Sequence, residues 1–377
     1  MLHNLDGEFR LSDDLIYLNH AGVSPWPART AEAVKNFADE NMVHGSRRYL
    51  QWLEREAALR AQACELLNAP SPDDIALLKN TSEALSAVAY GLEWQEGDNI
   101  VTTNQEFPSN RIVWESLSSK GVDFREADPA GFSQPEDALF SLADSDTRLI
   151  TVSSVQFSTG LRMDLEKIGE FCKSRGILFC IDAIQSLGAL TFDVRRVHAD
   201  FVMADGHKWM LGPEGLAIFY CTPEMRDRLT LHQYGWHMVD DLYNFDRKEW
   251  RTAKTARCFE CGSPNMIGIH ALHASLSLLL DIGMDVVEKE LLDRTEYLFE
   301  RIRSEPELEL MTPDSAGRYA GIVTFRHIRK DNESIYNFLM KNNIMCAYRN
   351  RGIRLSPHFY TPVEQLDRVF SLLESVP

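Results

Sequence analysis

The sequence predicts an α/β protein with a mostly parallel central sheet covered by helices, together with a smaller α+β domain. From about residue 75 onward, short apolar runs alternate with helical patterns. The apolar runs are continuous rather than alternating, which is typical of strands covered on both faces of a parallel sheet. The length of 377 residues exceeds what one hydrophobic core usually supports, so two domains are expected.

The elements of the predicted sheet follow one another in strand–helix order. Ligands of such sheets bind beyond the carboxyl ends of the strands, so the polar residues that follow each run are the candidates for a site. The predicted strands cover residues 75–78, 99–102, 149–153, 177–181 and 201–203, and helical patterns begin near residues 81, 110 and 165.

The pattern changes after Gly262. Two long helices are predicted over residues 265–280 and 286–304, followed by short strands and a closing helix near Pro362. We therefore predict a large α/β domain and a small C-terminal domain, with an N-terminal segment that packs near both. The predicted bounds are residues 15–262, 263–377 and 1–14 respectively.

Composition and charge narrow the range of partners. The formal net charge of −17 repels phosphate backbones and anionic membranes, so neither nucleic acid nor a membrane is an expected partner. No apolar run reaches transmembrane length. The first seven residues lack the basic and then apolar pattern of a signal peptide, which makes the cytoplasm the expected compartment.

The seven cysteines do not predict a disulfide framework, because their number is odd and their spacing irregular. Cys258 and Cys261 have the CxxC spacing of metal or redox pairs. No second CxxC or nearby pair of histidines completes a zinc site, so a structural role is favoured and no metal is expected.

Two polar residues at the ends of predicted strands suggest a catalytic pair. Asp182 directly follows an apolar strand, where a helix cap would be the ordinary interpretation of a lone carboxylate. Lys208 follows the next strand and is flanked by Met203, Trp209 and Met210, whose apolar side chains would desolvate its ammonium. Desolvation lowers the pKa of a lysine and makes it a nucleophile toward an aldehyde. An acid and such a lysine at neighbouring strand ends are the pair that pyridoxal chemistry requires.

The motifs around these residues resemble the class V aminotransferases, a family of fold-type I enzymes that depend on pyridoxal 5′-phosphate (PLP). That family includes cysteine desulfurases, isopenicillin N epimerase-like proteins and, more distantly, kynureninases. The resemblance runs in order along nearly the whole chain. Its segments cover residues 106–110, 182–186, 205–213, 259–265 and 354–358.

The resemblance implies a role for each matching residue. Lys208 and Asp182 would be catalytic: Lys208 would form the Schiff base with PLP and remove the α-proton of an amino-acid substrate, and Asp182 would pair with the pyridinium nitrogen. Ser263 would reach the phosphate of the partner subunit, which implies a homodimer with shared active sites. The implied cofactor-binding residues are Thr81, Ser82, Phe107, Gln156, Asp182, Gln185, His207, Lys208 and Ser263, and the implied substrate-binding residues are Arg354, Arg349, Asn19 and His20.

Asp205 departs from the family pattern, which often has serine or threonine at this position as a phosphate contact. A carboxylate beside a phosphate is repulsive. Asp205 is therefore expected to point elsewhere or to act through another group.

The resemblance favours an aminotransferase, with a PLP-dependent lyase or epimerase as the alternative. Cysteine desulfurases carry a nucleophilic cysteine on a loop near the carboxylate-binding arginine, whereas this chain has only Cys346, before Arg349. Desulfuration through a protein persulfide is therefore not expected. A catalytically inactive relative is disfavoured because Lys208, Asp182 and Arg354 are all present. A nicotinamide-dependent oxidoreductase is disfavoured because no GxGxxG fingerprint opens a strand–helix unit.

Overall fold

The computed structural model describes residue 5 and residues 7–376. The strands are β1 (Ile16–Tyr17), β2 (Ile75–Leu78), β3 (Asn99–Thr103), β4 (Asp123–Ala127), β5 (Thr147–Ser153), β6 (Leu178–Asp182), β7 (Phe201–Asp205), β8 (Ala217–Cys221), β9 (Leu308–Leu310), β10 (Val323–His327), β11 (Ile344–Met345), β12 (Ala347–Arg349) and β13 (Gly352–Leu355). The α-helices are α1 (Ala28–His44), α2 (Tyr49–Leu66), α3 (Thr81–Gly91), α4 (Ser109–Glu115), α5 (Pro135–Leu142), α6 (Leu165–Arg175), α7 (Pro223–Arg228), α8 (Met266–Ile282), α9 (Met284–Ser304), α10 (Asn332–Lys341) and α11 (Val363–Glu374).

The described residues form a seven-stranded central sheet in the order β2-β8-β7-β6-β5-β3-β4. The neighbours from β7 through β6, β5 and β3 to β4 pair in parallel. Strand β8 runs antiparallel to both of its neighbours, β2 and β7. The sheet is thus mostly parallel, which confirms the predicted fold class. The chain pattern did not predict β4 or the reversed strand β8.

The central sheet is covered on both faces because its strands are apolar on both sides. Successive side chains of a strand point to opposite faces. Phe179 and Ile181 accordingly enter the core beneath α2, α5, α6 and α8. Leu178 and Cys180 enter a second core beneath α3 and α4. The polar carboxyl ends of the strands are left at one edge of this sandwich.

A second sheet lies in the C-terminal part of the chain, in the order β12-β13-β10-β9. Its strands are antiparallel, and its inner face packs on α9, α10 and α11 in a core of its own. The two sheets lie on either side of the predicted boundary at residues 262 and 263. The boundary itself stays a prediction.

Residues 16–24, just after the predicted N-terminal segment, contact both parts of the chain, and β1 forms a separate two-stranded sheet with β11. β1 pairs in parallel with β11, and shortly afterwards the backbone N–H of Ser24 donates to His207 O at 2.8 Å. Further upstream, the ring of Phe9 stacks on Tyr360 with a centroid separation of 3.4 Å. The predicted segment 1–14 includes residues 1–4 and 6, which lie outside the described residues.

Among the residues that the structure describes, no single helix is long and apolar enough to cross a membrane. The pair α8 and α9 passes such a test only when joined, and the two helices meet at 84°. Residues along α8, including Ile269, Leu272, Leu276 and Leu279, are fully buried in the protein core.

Candidate active site

The predicted site residues meet at the carboxyl edge of the central sheet. Asp182 is the last residue of β6, Asp205 is the last of β7, and α3 begins at Thr81 shortly after β2. All three line a cavity of about 370 Å³, together with Lys208 from the loop after β7. The topology explains this convergence, because parallel strands end at the same edge.

Lys208 and Asp182 share this cavity and are both nearly inaccessible to water, at 8% and 2% exposed. Burial lowers the pKa of Lys208 to about 8, against the opposing effect of the Asp182 charge. Burial likewise raises the pKa of Asp182 to about 7, although Ile184 N–H donates to its Oδ1 at 3.0 Å and Lys208 favours the ionised form. Each group therefore has a pKa close to neutral pH.

Phe107 forms an aromatic wall of the cavity. Its side chain is 41% exposed, which is unusual for a phenylalanine in a folded core. The Lys208 Nζ lies 5.6 Å from its ring centroid, and Phe157 packs edge-on against it at 5.2 Å. This exposed ring next to a buried amine offers a stacking surface for a planar ligand.

The amino end of α3 offers unpaired backbone donors. Asn80 caps the helix by accepting from Glu83 N at 2.9 Å. Within the described residues, the amide groups of Thr81 and Ser82 have no backbone or side-chain acceptor, and both residues line the cavity. Free N–H groups and the helix dipole together favour an anion at this position. The Ser82 hydroxyl, which contacts Ser109 Oγ at 2.9 Å, adds a polar group to the same wall.

Asp205 does not point away from the cavity. Its side chain is buried on the cavity wall, and its Oδ1 lies 2.8 Å from His207 Nδ1. The angle between the two groups does not satisfy a hydrogen bond, which leaves both atoms without a well-aligned partner among the described residues. Of the two alternatives expected for Asp205, the contact with His207 fits action through another group rather than a carboxylate turned away from the cavity.

Both the nitrogen and the oxygen of the Gln185 side-chain amide form hydrogen bonds. Its Nε2 donates to Ala21 O at 3.1 Å, and its Oε1 accepts from the indole of Trp209 at 2.8 Å. The side chain lines the cavity and retains one free N–H. A second donor is thus fixed in direction on the same wall as Asp182.

Gln156 is fully buried behind the cavity wall rather than on it. Its Nε2 donates to Glu106 Oε1 at 2.7 Å, and its Oε1 has no partner among the described residues. Glu106, which sequence reasoning did not assign, also accepts from Asn110 Nδ2 at 2.9 Å and from Ser153 Oγ at 2.6 Å. The available signal in the sequence was an acidic residue directly before Phe107.

Arg354 also lines the cavity and is 2% exposed. Its Nη1 donates to Phe157 O at 2.7 Å and its Nη2 donates to Asn19 Oδ1 at 3.2 Å. Its Nε has no partner in the part of the chain that the structure describes. Asn19 thus orients the guanidinium instead of lining the cavity, while Arg349 lies beside it on the wall.

Two predicted site residues lie apart from this cavity. His20 is fully buried, with Nδ1 2.8 Å from Ser356 O and Nε2 2.7 Å from the hydroxyl of Tyr360. Burial lowers the pKa of His20 to about 4, so the ring is neutral. Ser263 is exposed in the loop before α8. Neither residue contributes to the cavity wall of a single chain.

The cysteines considered from the sequence lie away from the cavity. Cys346 is 2% exposed between β11 and β12, and burial raises the pKa of its thiol to about 12. Burial also raises the pKa of Cys258 to about 11, while the Cys261 thiol contacts Gln233 Oε1 at 3.4 Å. Within the described residues all cysteines are free thiols.

The cavity fits PLP in four respects. The free amides of α3 suit its phosphate, and Phe107 suits its ring. The buried Asp182 suits a protonated ring nitrogen, and the partly neutral Lys208 amine suits its aldehyde. Arg354, which lines the same cavity, suits a substrate carboxylate. The fold and the cavity together are those of a fold-type I PLP-dependent enzyme.

The family model for class V aminotransferases matches residues 16–369, so the chain belongs to this family. Membership confirms the resemblance drawn from the motifs, and with it the predictions of an enzyme and of PLP as its cofactor.

Proteins similar to this chain carry different functional names. A probable cysteine desulfurase of Methanothermobacter thermautotrophicus is 31% identical, covering 96% of this chain and 95% of that protein. An uncharacterized aminotransferase, YcbU, of Bacillus subtilis is 28% identical over 89% of this chain and 87% of its own. Among solved structures, the cystine C–S lyase C-DES in complex with its product cysteine persulfide superposes with a TM-score of 0.88. That likeness covers 96% of this chain and 97% of the other at 22% identity, so it shows the fold alone.

Proposed function

We propose that this enzyme removes the α-proton of an amino-acid substrate with Lys208 while Arg354 holds the substrate carboxylate. The proposal rests on one observation: a single cavity is lined by Lys208, Asp182, Arg354 and the amino end of α3. When bound, PLP supplies a conjugated electron sink that stabilises negative charge at the α-carbon. The protein supplies attachment, orientation and a base.

Lys208 is suited both to attach the cofactor and to move a proton. With a pKa of about 8, a useful fraction of the amine is neutral near neutral pH. A neutral amine can attack an aldehyde, and the same amine can later accept a proton from the substrate. Apolar burial produces this state, because it disfavours the ammonium more than Asp182 favours it.

Asp182 and the α3 terminus would hold the two ends of the cofactor. A protonated ring nitrogen beside Asp182 would favour the carboxylate form that burial now disfavours. The phosphate would lie against the N–H groups of Thr81 and Ser82. Gln185 would donate its free N–H to the ring hydroxyl, and Phe107 would pack on the ring face.

For the reaction, we propose β-elimination from an amino acid that carries a sulfur leaving group. Lys208 Nζ would take the α-proton, the bond between Cβ and sulfur would break, and the electron pair would leave with sulfur. Addition of water then gives pyruvate and ammonia beside the released sulfur compound. The names of the desulfurase relative and of the C–S lyase neighbour support this class. Burial of Cys346 supports release without a protein thiol.

Transamination, the reaction that the sequence favours, is the second candidate. It needs a single base that transfers the proton from the α-carbon to the cofactor, and Lys208 can do both steps. The similarity to an uncharacterized aminotransferase supports this reaction. Epimerisation is less well supported, because Phe107 offers no acid for a second face of the substrate.

The test is to reconstitute the protein with PLP and incubate it with amino acids that do or do not carry a β-sulfur substituent. Elimination predicts pyruvate and ammonia in equal amounts, and transamination predicts pyridoxamine phosphate and a 2-oxo acid. The Lys208→Ala variant should lose the visible absorbance of the lysine-bound cofactor and at least about 10³-fold of turnover. A Cys346→Ser control should keep sulfur release unchanged. Full turnover by Lys208→Ala would refute the proposal.

We also propose that two chains assemble into a homodimer. Tyr234, Phe245 and Trp250 are large aromatic side chains that are more than half exposed in a single chain. Ser263, expected at a shared phosphate site, is likewise exposed. Light scattering should then give twice the chain mass of 43.0 kDa, and a monomer would contradict the proposal. A cytoplasmic location stays a prediction.

A further inference from the structure

Trp209, the residue after Lys208, holds one end of a side chain on the cavity wall. Trp209 is fully buried, and its Nε1–H donates to Gln185 Oε1 at 2.8 Å. The nitrogen of the same amide donates to Ala21 O at 3.1 Å and keeps one N–H for which no described residue is an acceptor. Because an indole N–H can only donate, the amide oxygen has to face it. The Gln185 amide is thereby fixed in one of its two orientations.

The C-terminal part of the chain helps to set the position of this indole. The carbonyl oxygen of Trp209 lies 3.1 Å from Nε2 of the buried His358. The ring packs in one core with Leu291 and Ile322. Gly321 makes room for the ring, since a Cβ at this position would lie 2.7 Å from the indole Cζ3, and a close-packed core resists such overlap. The indole is therefore held from outside the cavity, whose wall it does not join.

The orientation of the Gln185 amide matters because the proposed function gives its free N–H to the ring hydroxyl of PLP. A donor stabilises negative charge on that oxygen, whereas an amide oxygen turned toward it would repel the charge. Without the indole N–H, Gln185 Oε1 would be a buried acceptor with no donor, a state that costs free energy. That cost would favour rotation of the amide, and its N–H would then leave the ring hydroxyl.

We propose that Trp209 is a positioning residue that keeps the Gln185 N–H directed at the hydroxyl of the bound cofactor. The inference deepens the proposed function and rests on it. A donor on that oxygen weakens the oxygen's hold on the proton of the neighbouring nitrogen, the one that joins Lys208 to the cofactor. Trp209 thus lowers the pKa of that nitrogen through Gln185, without lining the cavity itself.

The test follows the visible spectrum of the PLP-loaded protein as the pH is varied, because this spectrum reports protonation of the nitrogen that joins Lys208 to the cofactor. Trp209→Phe keeps an aromatic ring but removes the N–H. We expect the pKa read from the spectrum to rise by about 0.5–1 unit, the effect of weakening one hydrogen bond to a charged oxygen. Gly321→Ala, which displaces the indole without removing a polar group, should raise this pKa by a smaller amount.

Trp114→Phe is the matched control. The Trp114 indole is also fully buried and donates to a side-chain amide, Asn110 Oδ1, at 2.9 Å, but neither residue lines the cavity. Thermal unfolding should show a loss of stability in both tryptophan variants, whereas the spectral pKa should stay within about 0.2 unit in Trp114→Phe. In a Gln185→Met background, Trp209→Phe should no longer change the pKa, because the two side chains act as one unit.

Three results would overturn the inference: no shift in Trp209→Phe, the same shift in Trp114→Phe, or an undiminished shift in the Gln185→Met background. If Trp209→Phe does not fold, Gly321→Ala in the two backgrounds decides the same question. Failure of the proposed function would look different. In that case the PLP-loaded protein would lack a visible band that Lys208→Ala removes, irrespective of Trp209.

Discussion

Two arginines in this protein occupy opposite electrostatic situations. Arg60, in α2, contacts Glu56 at 2.5 Å and both oxygens of Glu260 at 2.6 and 2.7 Å. Arg354 is more deeply buried and contacts only neutral oxygens, those of Phe157 and Asn19. Burial would lower the pKa of both groups. The two glutamates nevertheless raise the pKa of Arg60 overall, whereas the pKa of Arg354 falls to about 9.

The difference separates a structural charge from one prepared for a ligand. A buried ion is tolerated when partners in the same chain offset its desolvation, as the glutamates do for Arg60. An ion without such partners costs stability, and the cost is recovered only when a ligand of opposite charge binds. The Arg60 cluster joins α2 to the edge strand β2, where Glu260 also accepts from Leu77 N. Arg354 lines a cavity instead.

The largest effect on stability is expected at Arg60. Replacement by methionine keeps much of the length but leaves Glu56 and Glu260 buried without a cation. Breaking such a cluster should lower the free energy of unfolding by about 3–5 kcal/mol, measured by urea unfolding of the PLP-free protein. Arg326→Met is the control, since its pair with Glu309 is about half exposed and should contribute at most about 1 kcal/mol. Equal effects of the two changes would refute the comparison.

Arg354→Met should change the stability little and the affinity for substrate strongly. The change removes an unpaired buried charge, so the free energy of unfolding of the PLP-free protein should stay within about 1 kcal/mol of the original. Affinity for any amino-acid substrate should fall about 100-fold, because the carboxylate loses a two-pronged partner. Urea unfolding and spectral titration measure the two quantities. A destabilisation as large as that of Arg60→Met would make Arg354 a structural residue.

The sequence predicted the centre of the site better than its rim. Asp182 and Lys208 could be placed because each directly follows a continuous apolar strand, and chain order alone then brings them to one sheet edge. His20 could not be placed, because its ring is turned into a buried network with Ser356 and Tyr360, more than 330 positions away. Such contacts between distant segments leave no local pattern in the chain.

In the fold, too, features set by local sequence could be predicted, whereas features set by strand direction and register could not. The helical pattern predicted to begin near residue 165 starts where the structure has α6, because Asp164 caps the helix, and Gly176 ends it in the left-handed region. The reversed direction of β8 was not predicted, since an apolar strand carries no local sign of its direction. The pairing of Arg349 with Gly352 could not be predicted either, because it depends on the register of β12 and β13.

A smaller effect on stability is expected from Asp182, a second buried group without a partner of opposite charge in hydrogen-bond contact. Its pKa in the folded protein, about 7, lies above the unfolded value of about 3.9. Stability from this group is therefore fully present below about pH 4 and is lost as the pH rises through 7. Lys208, with a pKa of about 8, stays mostly protonated below pH 7 and so contributes little to the change. Relative to Asp182→Asn, the PLP-free protein should lose about 1–3 kcal/mol of unfolding free energy between pH 4.5 and 7. A constant difference across that range would show that Asp182 is not held near its ionisation point.

The smallest effect is expected at Asp205, where a carboxylate lies on the wall that would hold a phosphate. If Asp205 acts through His207, its contact with Nδ1 fixes the orientation of the ring, which leaves Nε2 to face the phosphate. Asp205→Asn should then weaken PLP binding about 5-fold, as measured by fluorescence titration of the PLP-free protein. His207→Gln should weaken it by at least as much, and the double variant by no more than His207→Gln alone, because the two groups act as one unit. Tighter binding by Asp205→Asn would mean that the carboxylate simply repels the phosphate, and the Asp205 charge would then belong with the unpaired charges of the cavity rather than with the paired ones at Arg60.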